Sequence, residues 1–372
     1  MLHRMFLAAL SVSVVLLPAS GHAGADKGPI EAASYCVYDL GRLPGLPAGE
    51  TYQGAPAINE RDEIVGWQAV STDLTNHGFI WSRRTGMRDL GVLPGHENLN
   101  PADISDDRII VGNASNSDSG EDVAFVWTPS AGIRQLHVSL GGIEAFASGI
   151  NRRGQIAGSS EFGPTHQQRA FLREKNGEVM DLGAFADGDG SSGASDINDR
   201  GQVIGTSTGP ITAEGFIWDK RHGMRRLAPS SSLVILPTRI NNHGEVVGET
   251  VADQTRAFKW TRRDGLQYLP TLTGEITYST ATGINDWGTI VGASSIADGP
   301  PHAVIWSRRS GIRDLNDLID SSSPLASRIV LVIASAINDR SRIAAIGYYT
   351  DSQDPQRAFM LEPRKPGGPP CE

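Results

Sequence analysis

Apolar residues along the chain fall into short runs that repeat. An isoleucine followed by asparagine recurs at Ile58-Asn59, Ile150-Asn151, Ile197-Asn198, Ile240-Asn241, Ile284-Asn285 and Ile337-Asn338, with Ile104-Ser105 as a seventh copy. The spacing is roughly 43 to 53 residues, the range of propeller-blade repeats. After a short polar turn each copy continues with a pair of β-branched or small residues and usually a glycine, as in Ile64-Val65-Gly66, Ile110-Val111-Gly112 and Val246-Val247-Gly248, ending with Ile343-Ala344-Ala345. A third run follows, Gly78-Phe79-Ile80-Trp81 in the first copy and Ala257-Phe258-Lys259-Trp260 in the fifth. Residues two apart share a face of a strand, so the Phe and Trp of this run point the same way. A fourth run, such as Gly86-Met87-Arg88-Asp89-Leu90-Gly91, closes each unit. Four short strands per repeat predict an all-β, seven-bladed β-propeller.

The turn between the first and second strands asks for a residue that tolerates positive φ. Gly154, Gly201, Gly244 and Gly288 meet that need, whereas Asp62, Arg108 and Ser341 depart from it. Seven copies of strands one to three are followed by only six copies of strand four. The missing strand is at the other end, where Tyr35-Cys36-Val37-Tyr38-Asp39-Leu40-Gly41 matches the fourth-strand pattern, so an N-terminal strand is expected to complete the last blade. That closure brings Cys36 beside the C-terminal tail and predicts a Cys36 to Cys371 disulfide between the chain's two cysteines.

The third-strand motif resembles the bacterial extracellular repeat proteins of the HAF family, named for a His-Ala-Phe at its start. Here that position reads His77-Gly78-Phe79 and His302-Ala303-Val304, with Arg169, Arg256 and Arg357 before Ala-Phe in other copies. The stretch Asp314-Leu315-Asn316-Asp317-Leu318-Ile319 is similar to the family's terminal copy. The resemblance covers about residues 35 to 363 and implies the repeat architecture; it carries over no catalytic motif. Arg173 and Leu361 stand where the pattern has Trp.

The first residues, a basic Met1–Arg4 stretch, an apolar run to Leu17 and the small residues Ala23 and Ala25, read as a secretory signal peptide. The expected organisation is signal peptide 1–25, one propeller domain 26–363 and a Pro/Gly-rich tail 364–372, with a secreted or periplasmic product. Forty-three glycines fit many turns. A formal charge of −9 argues against nucleic acid as a partner.

A catalytic residue is needed once and a packing residue in every blade, so the repeated Asn, Phe and Trp are assigned to structure and function is sought where copies differ. Before the repeated isoleucine the column reads Ala57, Asp103, Gly149, Asp196, Arg239, Gly283 and Ala336. Asp103, Asp196 and Arg239 are therefore candidates for a polar ligand site at the channel mouth. The turns between strands three and four carry Arg83, Arg84, Arg262, Arg263, Arg308 and Arg309, a candidate basic rim for an anionic polymer. Longer loops on the opposite face include an Asp187-Gly188-Asp189-Gly190 turn, which lacks the ligand spacing of a calcium loop. His77 and His302 lie in separate blades, too far apart to share a zinc. No H-E-x-x-H motif is present; the strings Gly205-Thr206-Ser207-Thr208-Gly209 and Gly188-Asp189-Gly190-Ser191-Ser192-Gly193 match G-x-S-x-G and G-x-G-x-x-G, but in an all-strand repeat they lack the strand-turn-helix context of a nucleophile elbow or a nucleotide loop. No cofactor or metal is expected. The chain reads as an exported, monomeric, non-catalytic binding module for a polysaccharide, cell-envelope polymer or protein. The competing class is a propeller hydrolase or lyase acting on extracellular glycans.

Overall fold

The computed structural model describes residues 32, 34–46, 49–72, 75–138, 140–163, 167–185, 190–208, 213–229, 233–274, 278–352, 354–365 and 367–371. The expected signal peptide and the Asp187-Gly188-Asp189 turn lie outside them. Described strands form seven four-stranded antiparallel sheets, six of them running from an inner strand to an outer one in chain order and the seventh taking its outermost strand from the N-terminal end. Blade 1 consists of Thr51–Ile58, Ile64–Val70, His77–Ser82 and Gly86–Asp89. Neighbouring sheets pack face to face through apolar clusters; one between blades 1 and 2 contains Val65, Leu90, Leu99, Ile110 and Phe125. Six third-strand phenylalanines, from Phe79 to Phe359, are completely buried, and Val304 fills the same place in blade 6. Each such Phe contributes roughly 2–3 kcal/mol by leaving water.

The ring closes as the repeat count predicts. Tyr35–Asp39 is the outermost strand of blade 7 and pairs antiparallel with Arg357–Pro363, with Tyr35 opposite Pro363 and Asp39 opposite Phe359. Cys36 and Cys371 form a disulfide, their Cα atoms 5.4 Å apart. Around it Arg364 pairs with Asp320 at 2.8 Å, and the Arg364 amide donates to the Ser34 carbonyl at 2.9 Å. At the far end of the same seam Arg357, itself buried, is clamped between Asp39 at 2.8 Å and Asp354 at 3.0 Å.

Every inner strand carries a bulge at the same place, such as between Pro101 and Asp103 or between Ala281 and Gly283. The bulge pushes a carbonyl against the second strand, which explains the glycine there. A Cβ on Gly66 would lie 1.9 Å from the Gly54 oxygen, and one on Gly292 2.0 Å from the Thr280 oxygen. Blade 7, with Ala345 in that column, has a second bulge between Leu331 and Ile333.

The turns between strands one and two behave as expected and do one thing more. The Asn59 side-chain oxygen accepts the amides of Arg61 and Glu63 at 3.0 and 2.9 Å, fixing its own turn. Its side-chain nitrogen donates to the Ser105 carbonyl of the next blade. The same cross-blade donation runs from Asn151 to Asn198, Asn198 to Asn241, Asn241 to Asn285, Asn285 to Asn338 and Asn338 back to Asn59. A belt of buried amides thus encircles the channel, with its gap at Ser105 in blade 2. The seven turn residues before strand two all have positive φ, Asp62, Arg108 and Ser341 included, at 62°, 60° and 60°.

Candidate functional site

The inner strands place Asp103, Asp196 and Arg239 around one end of the central channel, as the column predicts. The Asp103 carboxylate accepts the Ile104 amide of its own blade and the Ile150 amide of the next, both at 2.8 Å. Asp196 repeats the arrangement with Ile197 at 2.8 Å and Ile240 at 2.9 Å. Arg239 reaches across the channel from blade 5 and donates to the Pro56 carbonyl of blade 1 at 3.0 Å, and to its neighbour Thr238 at 3.0 Å. Burial raises both carboxyls, Asp196 to about 7, while the Arg239 charge pulls each back. All three side chains are engaged with protein backbone, so they bridge blades and span the lumen.

Outside this layer the channel opens into a cavity of about 200 Å³. The residue after each belt position faces it, and five of these are carboxylates: Glu60, Asp106, Asp199, Asp286 and Asp339. Each accepts the backbone amide of the equivalent residue in the preceding blade or an arginine donor: Asp286 takes the Asn242 amide, Asp339 the Asp286 amide and Asp106 the Glu60 amide. Arg152 lies among them, 2.7 Å from Asp106. Burial raises Glu60 and Asp339 above the usual carboxylate range. Among the described residues no three His, Cys, Asp or Glu side chains converge as metal ligands.

The six rim arginines are all exposed on the face that carries these turns. Arg83 is engaged by Glu362 at 3.3 Å and lies over the Tyr38 ring, Arg263 pairs with Asp264, and Arg308 approaches Glu245 at 3.4 Å. Carboxylates therefore engage three of the six arginines. Arg84, Arg262 and Arg309 make no hydrogen bond or ion pair among the described residues. His302 is engaged by Asp314 at 2.6 Å across strands three and four. The same column holds Arg357 with Asp39, the reversed pair Glu214 with Arg226, and Arg256 over the Tyr268 ring. These residues tie the third strand to the fourth, which accounts for the motif's first position.

One feature went unassigned in the sequence. A groove of about 310 Å³ runs between blades 1 and 2, lined by Arg84, Arg88, Arg108 and Trp127 with Glu63 and Asp89. Arg108 occupies the turn position that is glycine in four blades, and its left-handed backbone costs on the order of 1 kcal/mol or more. A 2.7 Å ion pair from its Nε to buried Glu63 holds it there. Of the five third-strand tryptophans, Trp81, Trp218, Trp260 and Trp306 are 3–8% exposed, whereas Trp127 is only half-buried. The discordant Arg108 was the available signal; the exposure of Trp127 could not be seen in a column where five of the seven residues are Trp.

These features define the class of the molecule: a seven-bladed β-propeller whose ring is sealed by its own N-terminal strand and a disulfide. No protein-family model matches the chain, and no curated protein matches it. Solved structures are similar in fold. An oligogalacturonate lyase in complex with manganese superposes with a TM-score of 0.56 at 10% identity, covering 90% of this chain and 96% of that one. The β-propeller domain of the Trilobed protease from Pyrococcus furiosus, described as having an open velcro topology, gives a TM-score of 0.54 at 11% identity over 86% and 95%. Prolyl endopeptidases give 0.54 at 11% identity over 83% of this chain, which spans about half (48%) of their length. At such identities the likeness is one of fold.

Proposed function

We propose that this propeller is an exported, non-catalytic binding module that contacts an anionic extracellular or cell-surface polymer through its arginine-bearing face. The observation that carries the reading is the contrast between the channel and that face. Asp103, Asp196 and Arg239 each bond two backbone groups of the ring itself. Arg84, Arg262 and Arg309 stand in solvent with no partner of their own among the described residues. We assign the channel trio to holding the ring and the rim to ligand contact. Export is supported by the Cys36–Cys371 disulfide, a bond that forms and persists in oxidising compartments.

A rigid ring that presents exposed guanidinium groups suits a repeating polyanion, which engages several weak contacts at once. The test is binding of the mature protein to immobilised acidic and neutral glycans at low and physiological salt. Binding to acidic polymers that weakens as salt rises is expected. Absence of binding to every acidic polymer, or equal and salt-insensitive binding to neutral ones, overturns the reading. Capture of one defined protein partner in place of any glycan would do the same.

A further inference from the structure

We infer that the groove between blades 1 and 2 is a subsite for a single carboxylate-bearing sugar residue, an inference that rests on the polyanion reading and specifies it. Three guanidinium groups enter one cavity from two blades. Arg84 and Arg88 come from the third-to-fourth strand turn and the fourth strand of blade 1, and Arg108 from the first turn of blade 2. The side chains of Arg84 and Arg88 have no hydrogen-bonding partner among the described residues, and the ion pair of Arg108 uses Nε and leaves its two terminal nitrogens without a partner. Planar guanidinium groups match a carboxylate in a two-bond fork.

The charge fits one acidic group. Glu63 is occupied by Arg108 and by the Asn59 amide, and Asp89 is anchored by the Gly91 amide at 2.8 Å. Three arginines against these two carboxylates leave one positive charge for a ligand. The half-buried indole of Trp127 forms an apolar wall, the surface on which the C–H face of a pyranose ring stacks. The volume of about 310 Å³ lies at the small end of ligand pockets, enough for one sugar unit of a chain that continues along the face. The strained backbone of Arg108 gains a purpose on this reading. Glycine would relax the turn, and only a long cationic side chain delivers a guanidinium into the groove.

The experiment uses the mature disulfide-bonded protein and three probes: a uronic-acid oligosaccharide, its methyl ester, and the neutral hexose oligosaccharide of the same linkage. The wild type is expected to prefer the acid over the ester at least tenfold. The exposed double variant Arg84→Ala/Arg88→Ala, which removes no side-chain hydrogen bond or ion pair among the described residues, is expected to lose that preference. Trp127→Leu is expected to weaken acid and ester alike, independently of salt. Arg262→Ala/Arg309→Ala is expected to reduce the salt dependence of polymer binding while keeping the acid preference. If the wild type binds acidic polymer but the Arg84→Ala/Arg88→Ala variant retains the acid preference, the subsite is wrong and the face-wide reading stands. If the wild type binds no acidic probe, both fall.

Discussion

The side-chain amide of Asn338 donates to the backbone carbonyl of Asn59 at 3.0 Å, joining blade 7 to blade 1 across 279 residues of sequence. It is chemically the same bond that Asn241 makes to Asn285 within the middle of the chain. At the seam it does a different job, because covalent continuity does not otherwise hold those two turns together.

Asn338 also donates to Asp62, and its oxygen accepts the Arg340 and Arg342 amides. Asn338→Ala therefore strips partners from several buried groups, and about 2–3 kcal/mol of stability should be lost in urea unfolding. Asn285→Ala is expected to cost less, since the chain itself links its blades. Equal losses for the two variants would show that the seam has no special weight.

The belt has its gap at Ser105, whose hydroxyl accepts the Ile109 amide and provides no donor toward Asn151. Ser105→Asn should complete the ring of cross-blade bonds and raise stability by about 1 kcal/mol, the worth of one added buried hydrogen bond. A fall in the urea midpoint would mean that the left-handed Arg108 turn leaves no room for the longer side chain.

The repeat, the strand count, the closing strand and the disulfide were legible because each rests on local pattern. Ile64-Val65-Gly66 reads as a strand with a close neighbour whether or not the rest of the ring is known. The rim was legible only in part. Arg83 and Glu362 are separated by 279 residues and meet because blade 7 abuts blade 1, so the basic turns are more mixed in charge than their own sequence suggests. The reach of Arg239 to Pro56 depends on the channel's width, which no column of residues records. Glu60, Asp106 and Asp339 look like ordinary polar turn residues until seven turns are gathered around one axis.

Removal of the disulfide tests how far the seam is held by packing. The bond closes a loop with a sequence separation of 335, for which loop-closure entropy allows up to roughly 6 kcal/mol, less whatever order the unfolded chain keeps. Cys36→Ser/Cys371→Ser should lower the thermal midpoint, and a reductant should do the same to the wild type but not to the variant. An unchanged midpoint would assign the seam to the Arg357 clamp and the Asn338 bond alone.

The last prediction concerns pH. Asp196 is held up at about 7 by burial, eased by Arg239 and worsened by Asp103, while an unfolded aspartate titrates near about 4. A raised folded-state value means that the folded protein binds the proton more tightly. Its stabilising contribution is therefore complete below about pH 4 and is lost as pH rises through about 7. Asp103, Glu60 and Asp339 shift the same way, whereas Asp354 and Glu245 are lowered and act only as pH falls toward about 4 and below. Between pH 5 and 8 the wild type should thus lose on the order of 2 kcal/mol, read as a falling urea midpoint. Asp196→Asn cannot ionise, and its profile over that window should be flatter even though it forfeits an acceptor for Ile197 or Ile240. Arg239→Leu removes the charge that draws both aspartates down, so its fall should begin at a higher pH. A wild-type midpoint equal at pH 5 and 8, or the same slope in Asp196→Asn, would remove the buried carboxylate as the cause.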